Sequence, residues 1–110
     1  MFVHVIQMQL KHCSAFEANL FWRESVLPEL KLQRGWKDAS FAPIGTGKVM
    51  LFTVWDTKEA ARGFNATPDY HSALAQFIGL GRDIQEVVYP LGTAEEYAYA
   101  RCKAPEPHIN

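Results

Sequence analysis

Residues 48–71, KVMLFTVWDTKEAARGFNATPDYH, decide the fold. The first eight, Lys48 to Trp55, are almost all apolar or β-branched and read as a buried strand. Asp56-Thr-Lys-Glu59 follows at once in the form of a capping box, a side-chain acceptor for free amides with a Glu three residues on. The short helix it starts is expected to carry Ala60, Ala61 and Phe64 inward. Thr67-Pro68-Asp69 is a further helix start: a hydroxyl, Pro at the first helical position, then an acid near the positive end of the dipole. Tyr70, Leu74, Phe77 and Ile78 continue at helical spacing, and Gly79 and Gly81 end that helix.

Upstream, residues 2–10 (FVHVIQMQL) read as a first strand. Phe2, His4, Ile6 and Met8 lie on one face, with Val3 and Val5, then Gln7 and Gln9, on the other. Ser14-Ala-Phe-Glu17 is a capping box that opens a helix to about Leu32, with Gly35 as its stop. Phe16, Leu20, Leu27 and Leu30 cluster on one side of it, and Asn19 and Arg23 fall in the same stripe. Pro28 should kink the helix or shift its phase, which would bring Trp22 and Val26 to the buried face instead. Residues 36–43 form a second strand, joined through Gly45-Thr-Gly47 to the third as an antiparallel hairpin. Residues 84–91 form a fourth, with Pro90 at an edge. Residues 1–92 thus read as a single domain and 93–110 as a partly ordered C-terminal extension. In that extension Thr93-Ala-Glu-Glu96 suggests a helix start, while the Tyr97/Tyr99/Arg101 alternation suits a strand.

The order is β-α-β-β-α-β with the second helix split in two. That is an α+β, ferredoxin-like arrangement with a four-stranded antiparallel sheet and helices on one face. A sheet covered on one side should alternate apolar and polar residues. The third strand does not: Val49, Leu51, Thr53 and Trp55 face one way, Met50, Phe52 and Val54 the other. At ~25 cal/mol per Å² of apolar surface, leaving the second face in water is unfavourable, and a second copy is its simplest cover. The expectation is a homodimer through the sheet faces, a dimeric α/β barrel.

With 110 residues the chain can bury roughly two-thirds of its unfolded surface in one core. A net charge of −1 without a Lys/Arg stripe argues against nucleic acid as a partner. Cys13 and Cys102 form no CxxC, no His pair has metal-ligand spacing, and no metal is expected. Two cysteines suggest a reducing compartment. The N-terminus lacks signal-peptide features, and no apolar run approaches the ~20 residues of a membrane span. These features together describe a cytoplasmic protein with no membrane partner.

Three pieces of this pattern resemble the antibiotic biosynthesis monooxygenase-like family of dimeric α/β barrels. They are Leu27-Pro-Glu-Leu with Arg34-Gly35-Trp36, Val54-Trp55-Asp-Thr-Lys-Glu-Ala60, and Ala66-Thr-Pro-Asp-Tyr-His71. The resemblance implies the ferredoxin-like fold, dimerisation, and a cavity between sheet and helices lined by Trp55. It also implies oxygenation of a small phenolic or quinol-like compound without a cofactor. The family's polar cavity residue four positions before the Trp is Leu51 here, and its aromatic residue six after is Ala61. Its haem-degrading members carry a second Trp where this chain has Phe64, a haem-ligating His where it has Leu74, and an Asn where it has Gln7. Haem degradation is rejected on these substitutions.

Cofactor-free oxygenation needs an apolar pocket for a flat aromatic, a base to form its anion, and donors to hold that anion. Trp55 could stack on the substrate, or simply be a core Trp at a strand end. His71 is the candidate base, or a solvated His in a first helical turn. Asn19, Arg23, Tyr70 and Phe64 are candidates for substrate binding. A buried Arg needs a partner or an anionic ligand, unless Pro28 and the local phase turn Asn19 and Arg23 to the edge; a Tyr often buries its ring and leaves its hydroxyl at the rim. His4 reads as a core or dimer-face residue. Cys13 precedes a helix start, which can lower a thiol pKa, although a lone Cys there is more often inert packing. The same cavity would serve a non-catalytic binder of a small apolar or aromatic molecule, and a filled one would leave a structural dimer.

Overall fold

A computed structural model of the chain describes residues 1–92; the expectations for 93–110 lie outside the described residues. Four strands form one antiparallel sheet in the order β2-β3-β1-β4: β1 (Phe2–Leu10), β2 (Trp36–Gly45), β3 (Lys48–Trp55) and β4 (Gly81–Pro90). This is the ferredoxin-like topology expected from the order of elements. Helices α1 (Ala15–Phe21), α2 (Leu27–Leu30), α3 (Lys58–Ala61) and α4 (Pro68–Ile78) supply the covering layer. Among the described residues no helix is long and apolar enough to cross a membrane.

The first helical unit is not a plain α-helix. Ser14 and Glu17 cap it reciprocally, as their spacing indicates. Between α1 and α2 the chain makes a π-helical turn, Trp22–Val26, closed by the Leu27 N–H donating to the Trp22 carbonyl. Pro28 has no N–H to return to the preceding turn, and its ring crowds the carbonyl four residues back; a widened turn relieves both. The buried residues are Ala18, Trp22, Val26 and Leu30, each four after the last. A regular α-helix would drift by about 40° at each such step, and the π turn takes up that drift. The stripe read through Phe16 and Leu20 is therefore wrong at its N-terminal end: Phe16 is 70% exposed and Leu20 36%. The phase shift attributed to Pro28 is what the helix adopts.

β4 starts three residues before the expected strand, at Gly81, which pairs with Leu10. A Cβ on Gly81 would lie 2.5 Å from Met8 Sδ and 3.0 Å from the Gln9 carbonyl, so the close approach requires glycine. The ladder then slips. Gln9 faces Arg82, but Gln7 faces Gln85, leaving two β4 residues opposite Met8. This β-bulge contains Asp83, whose φ of 54° is left-handed. A one-residue shift reverses which side chains face which way. Beyond the bulge Glu86 and Val88 point with His4 and Ile6 toward the helices, and Val87 and Tyr89 point away.

Ile6, Met8, Leu10, Val49 and Leu51 form the sheet side of the core. Phe77 of α4 is its centre, with the rings of Phe21, Trp22 and Phe41 6.1–6.5 Å away. Buried Gln33 ties α4 to the end of the first helical unit: its amide donates to Thr67 Oγ1 (3.0 Å) and its carbonyl accepts from the Thr67 N–H (3.0 Å). On the other face of the sheet Val5, Met50 and Phe52 are half-buried, Val87 is 50% exposed and Tyr89 41%.

Candidate active site

One cleft of about 410 Å³ opens between the sheet and the C-terminal helices, within the range of small-molecule pockets. Its parts are set by local rules. Thr57, not Asp56, caps α3, accepting from the Ala60 N–H at 3.1 Å. Asp56 instead pairs with Lys37 Nζ at 3.2 Å, and its N–H donates to the Gly35 carbonyl. The helix then ends at Ala61, and Gly63 turns the chain with φ 81°. Ala60, Ala61 and Arg62 reach the cleft from this segment. Phe64 does not: the helix stops before it, and it is 69% exposed, correcting the inward placement expected from the sequence.

α4 begins where Thr67-Pro68-Asp69 indicates, with Thr67 Oγ1 accepting from the Tyr70 N–H at 3.3 Å. Its first turns bring Tyr70, His71 and Leu74 to the cleft. The His71 ring lies against Gly63, where a Cβ would sit 3.3 Å from its Cε1. Trp55 lines the cleft from β3, its ring 6.2 Å from that of Tyr70 and its indole N–H donating to Thr53 Oγ1 at 2.9 Å. Three expected site residues, Trp55, Tyr70 and His71, are thus brought together.

Asn19 and Arg23 are not among them. The π turn that puts Trp22 and Val26 inside rotates Arg23 out to solvent, and half-buried Asn19 does not line the cleft. Leu51 belongs to the core; Ala61 and Leu74 present only apolar surface to the cleft.

The structure adds two residues that the sequence did not single out for chemistry. His4 and Glu86 line the cleft from adjacent strands, with His4 Nε2 3.8 Å from Glu86 Oε1. That is an ion-pair distance, longer than a hydrogen bond. Burial lowers the His4 pKa below the ordinary imidazole value, with Glu86 opposing. Burial raises the Tyr70 phenol well above its ordinary value, and the Glu86 carboxylate adds to this. Tyr70 therefore remains a proton donor at any neutral pH. Cys13 follows the inert-packing alternative: burial, and then the Glu17 carboxylate, raise its thiol pKa. Among the described residues no three His, Cys, Asp or Glu side chains are grouped to hold a metal ion. The signal that could have found His4 was a titratable side chain on an otherwise apolar strand face; Glu86 could be placed only by knowing the bulge.

The fold is shared with solved structures at low sequence identity. SnoaB, a cofactor-independent oxygenase from Streptomyces nogalater, superposes with a TM-score of 0.68 at 13% identity, over 84% of this chain and 93% of that one. A monooxygenase from the gene ActVA-Orf6 of Streptomyces coelicolor, in complex with nanaomycin D, gives 0.67 at 19% identity, over 84% and 88%. An uncharacterized NIPSNAP domain protein from Burkholderia xenovorans gives 0.59 at 13%, over 86% and 96%. No family model and no curated protein matches the sequence. The chain has the fold of the antibiotic biosynthesis monooxygenase-like structures.

Proposed function

We propose that this chain is a cofactor-independent monooxygenase of a small phenolic or quinol-like compound. The observation that carries the reading is the cleft itself: proton-exchanging groups converge on a partly apolar wall that contains Trp55. The shared fold of two oxygenases supports it.

For a phenol with a free para carbon, the chemistry balances as phenol plus O₂ giving quinone plus water. A base in the cleft takes the hydroxyl proton, and Tyr70 can donate to the resulting oxyanion. The phenolate gives one electron to O₂, and the radical pair joins at the para carbon. The peroxide takes up a proton. Loss of the para C–H proton then forms the carbonyl, breaks the O–O bond and releases hydroxide, which is protonated to water. Partial burial strengthens each of these electrostatic contacts relative to water.

The test is oxygen uptake with a panel of simple phenols and hydroquinones, with quinone measured alongside. One quinone per O₂ is expected, and filling the cleft with Leu74→Trp should abolish uptake. Full-rate oxidation in Leu74→Trp would remove the cleft as the site. Phenol binding without uptake would leave a small-molecule-binding protein.

The working unit in this reading is a homodimer joined through the outer sheet face. Val87, Tyr89, Phe52 and Met50 form an apolar patch there that a second copy would cover. Sedimentation should give a dimer at micromolar concentration and a monomer for Val87→Glu; a stable wild-type monomer would contradict it.

A further inference from the structure

The oxygenase reading leaves open which group takes the proton. We infer that His4 is that base and that Glu86 is its positioning residue, holding the ring and sharing its positive charge once protonated. The inference rests on the oxygenase reading for its substrate but on geometry for its assignment.

His4 sits on β1, a central strand bonded on both sides, so its backbone is held by two ladders. Its side chain is 14% exposed, while that of Glu86 keeps 45%. Among the described residues nothing bonds the His4 Nδ1, which leaves one ring nitrogen for a substrate while Nε2 faces the carboxylate. A polar pair here has no evident structural purpose. The neighbours on the same face are the apolar Phe2, Ile6 and Val88, with Thr53 opposite on β3 engaged by the Trp55 indole, so an apolar residue in place of His4 would satisfy the fold. The pair also exists only because the β4 bulge turns Glu86, and not Gln85, toward the helices.

Among the described residues, the other titratable or charged groups lining this cleft are Arg62 after α3, and Tyr70 and His71 of α4. β3 contributes none. Burial keeps His4 neutral, the form a base requires, and the nearby carboxylate then stabilises the imidazolium that forms. His71 is exposed, where water competes with a substrate for its ring.

The test reads ionisation and oxygenation separately. 4-Nitrophenol, whose anion is coloured, is titrated with wild type, His4→Gln, Glu86→Gln and His71→Ala across pH. Wild type should bind it as the anion below its solution pKa. His4→Gln should bind it neutral, and His71→Ala should still bind it as the anion. In oxygen uptake His4→Gln should lose on the order of 10²-fold in kcat and recover as pH rises through the substrate's own pKa. Glu86→Gln, at an exposed position, should shift the acid limb of kcat/KM to lower pH. Ionisation that survives His4→Gln, or is lost only in His71→Ala, overturns the assignment while leaving the oxygenase reading intact. Wild type that fails to ionise the probe also overturns it. Ionisation by His4 without oxygen uptake on any phenol would uphold the pair and sink the oxygenase.

Discussion

The two ends of α4 lie against two different interiors. At its C-terminal end Phe77 is closed in by Phe21, Trp22 and Phe41. At its N-terminal end Tyr70, His71 and Leu74 border open volume, with a His and a Glu on the sheet opposite. One helix on one sheet face thus joins a packed half to a hollow one. The difference comes from what covers the sheet. The first helical unit fills the space above β1 and β3 with Trp22, Val26 and Leu30, whereas α3 is four residues long and offers alanines. Stability should therefore concentrate at one end and chemistry at the other.

Phe77→Ala is the strongest way to break the contrast. It should lower unfolding free energy by about 3–5 kcal/mol, read from urea melts; a loss below about 1 kcal/mol would mean the two ends are not energetically distinct. Leu74→Ala, at the hollow end, should fall short of the ~2–5 kcal/mol usual for a close-packed Leu, because its side chain already borders space. Thr67→Val removes the hydroxyl that accepts from both the Tyr70 N–H and the Gln33 amide. A loss of about 1 kcal/mol is expected for such a cap, and it should be shared between the ends, since Gln33 fastens α4 to the first helical unit. The smallest effect is pH dependence from the hollow end. The His4 pKa is lower in the folded chain than its ordinary 6.5, so between those values the unfolded chain holds more protons. His4 thus contributes stability that is intact above 6.5 and is lost as pH falls from there toward the folded value. Thermal melts from about pH 8 to pH 5 should show this slope, and His4→Gln should flatten it; an unchanged slope would mean that His4 is not the group responsible.

Much of the frame was legible in the sequence. The β1 and β3 bounds match the apolar runs, and the Ser14 and Thr67 caps lie where their spacing puts them. Trp55, Tyr70 and His71 were legible as cleft residues because a strand end and a helix start fix their positions. The failures have local causes. Arg23 and Phe16 were misplaced because a helical wheel assumes one pitch, and Pro28 changed it. Phe64 was misplaced because α3 ends at Ala61, before its turn could carry that ring inward, and Gly63 redirects the chain. The His4–Glu86 pair was out of reach because its second member depends on a bulge that no periodicity reveals.

That bulge carries a consequence for how the protein can change over generations. Run straight from Gly81, the same β4 residues would turn Gln85, Val87 and Tyr89 toward the helices and Glu86 and Val88 away. The cleft wall and the outer apolar face are therefore inherited together through one backbone kink. A chain that lost one residue at the kink would keep both, because the ladder beyond would close up in its present register. A chain that kept its length but lost the left-handed turn at Asp83 would exchange them in a single event. At this point in the molecule, a deletion is the milder mutation and a β-branched substitution the graver one.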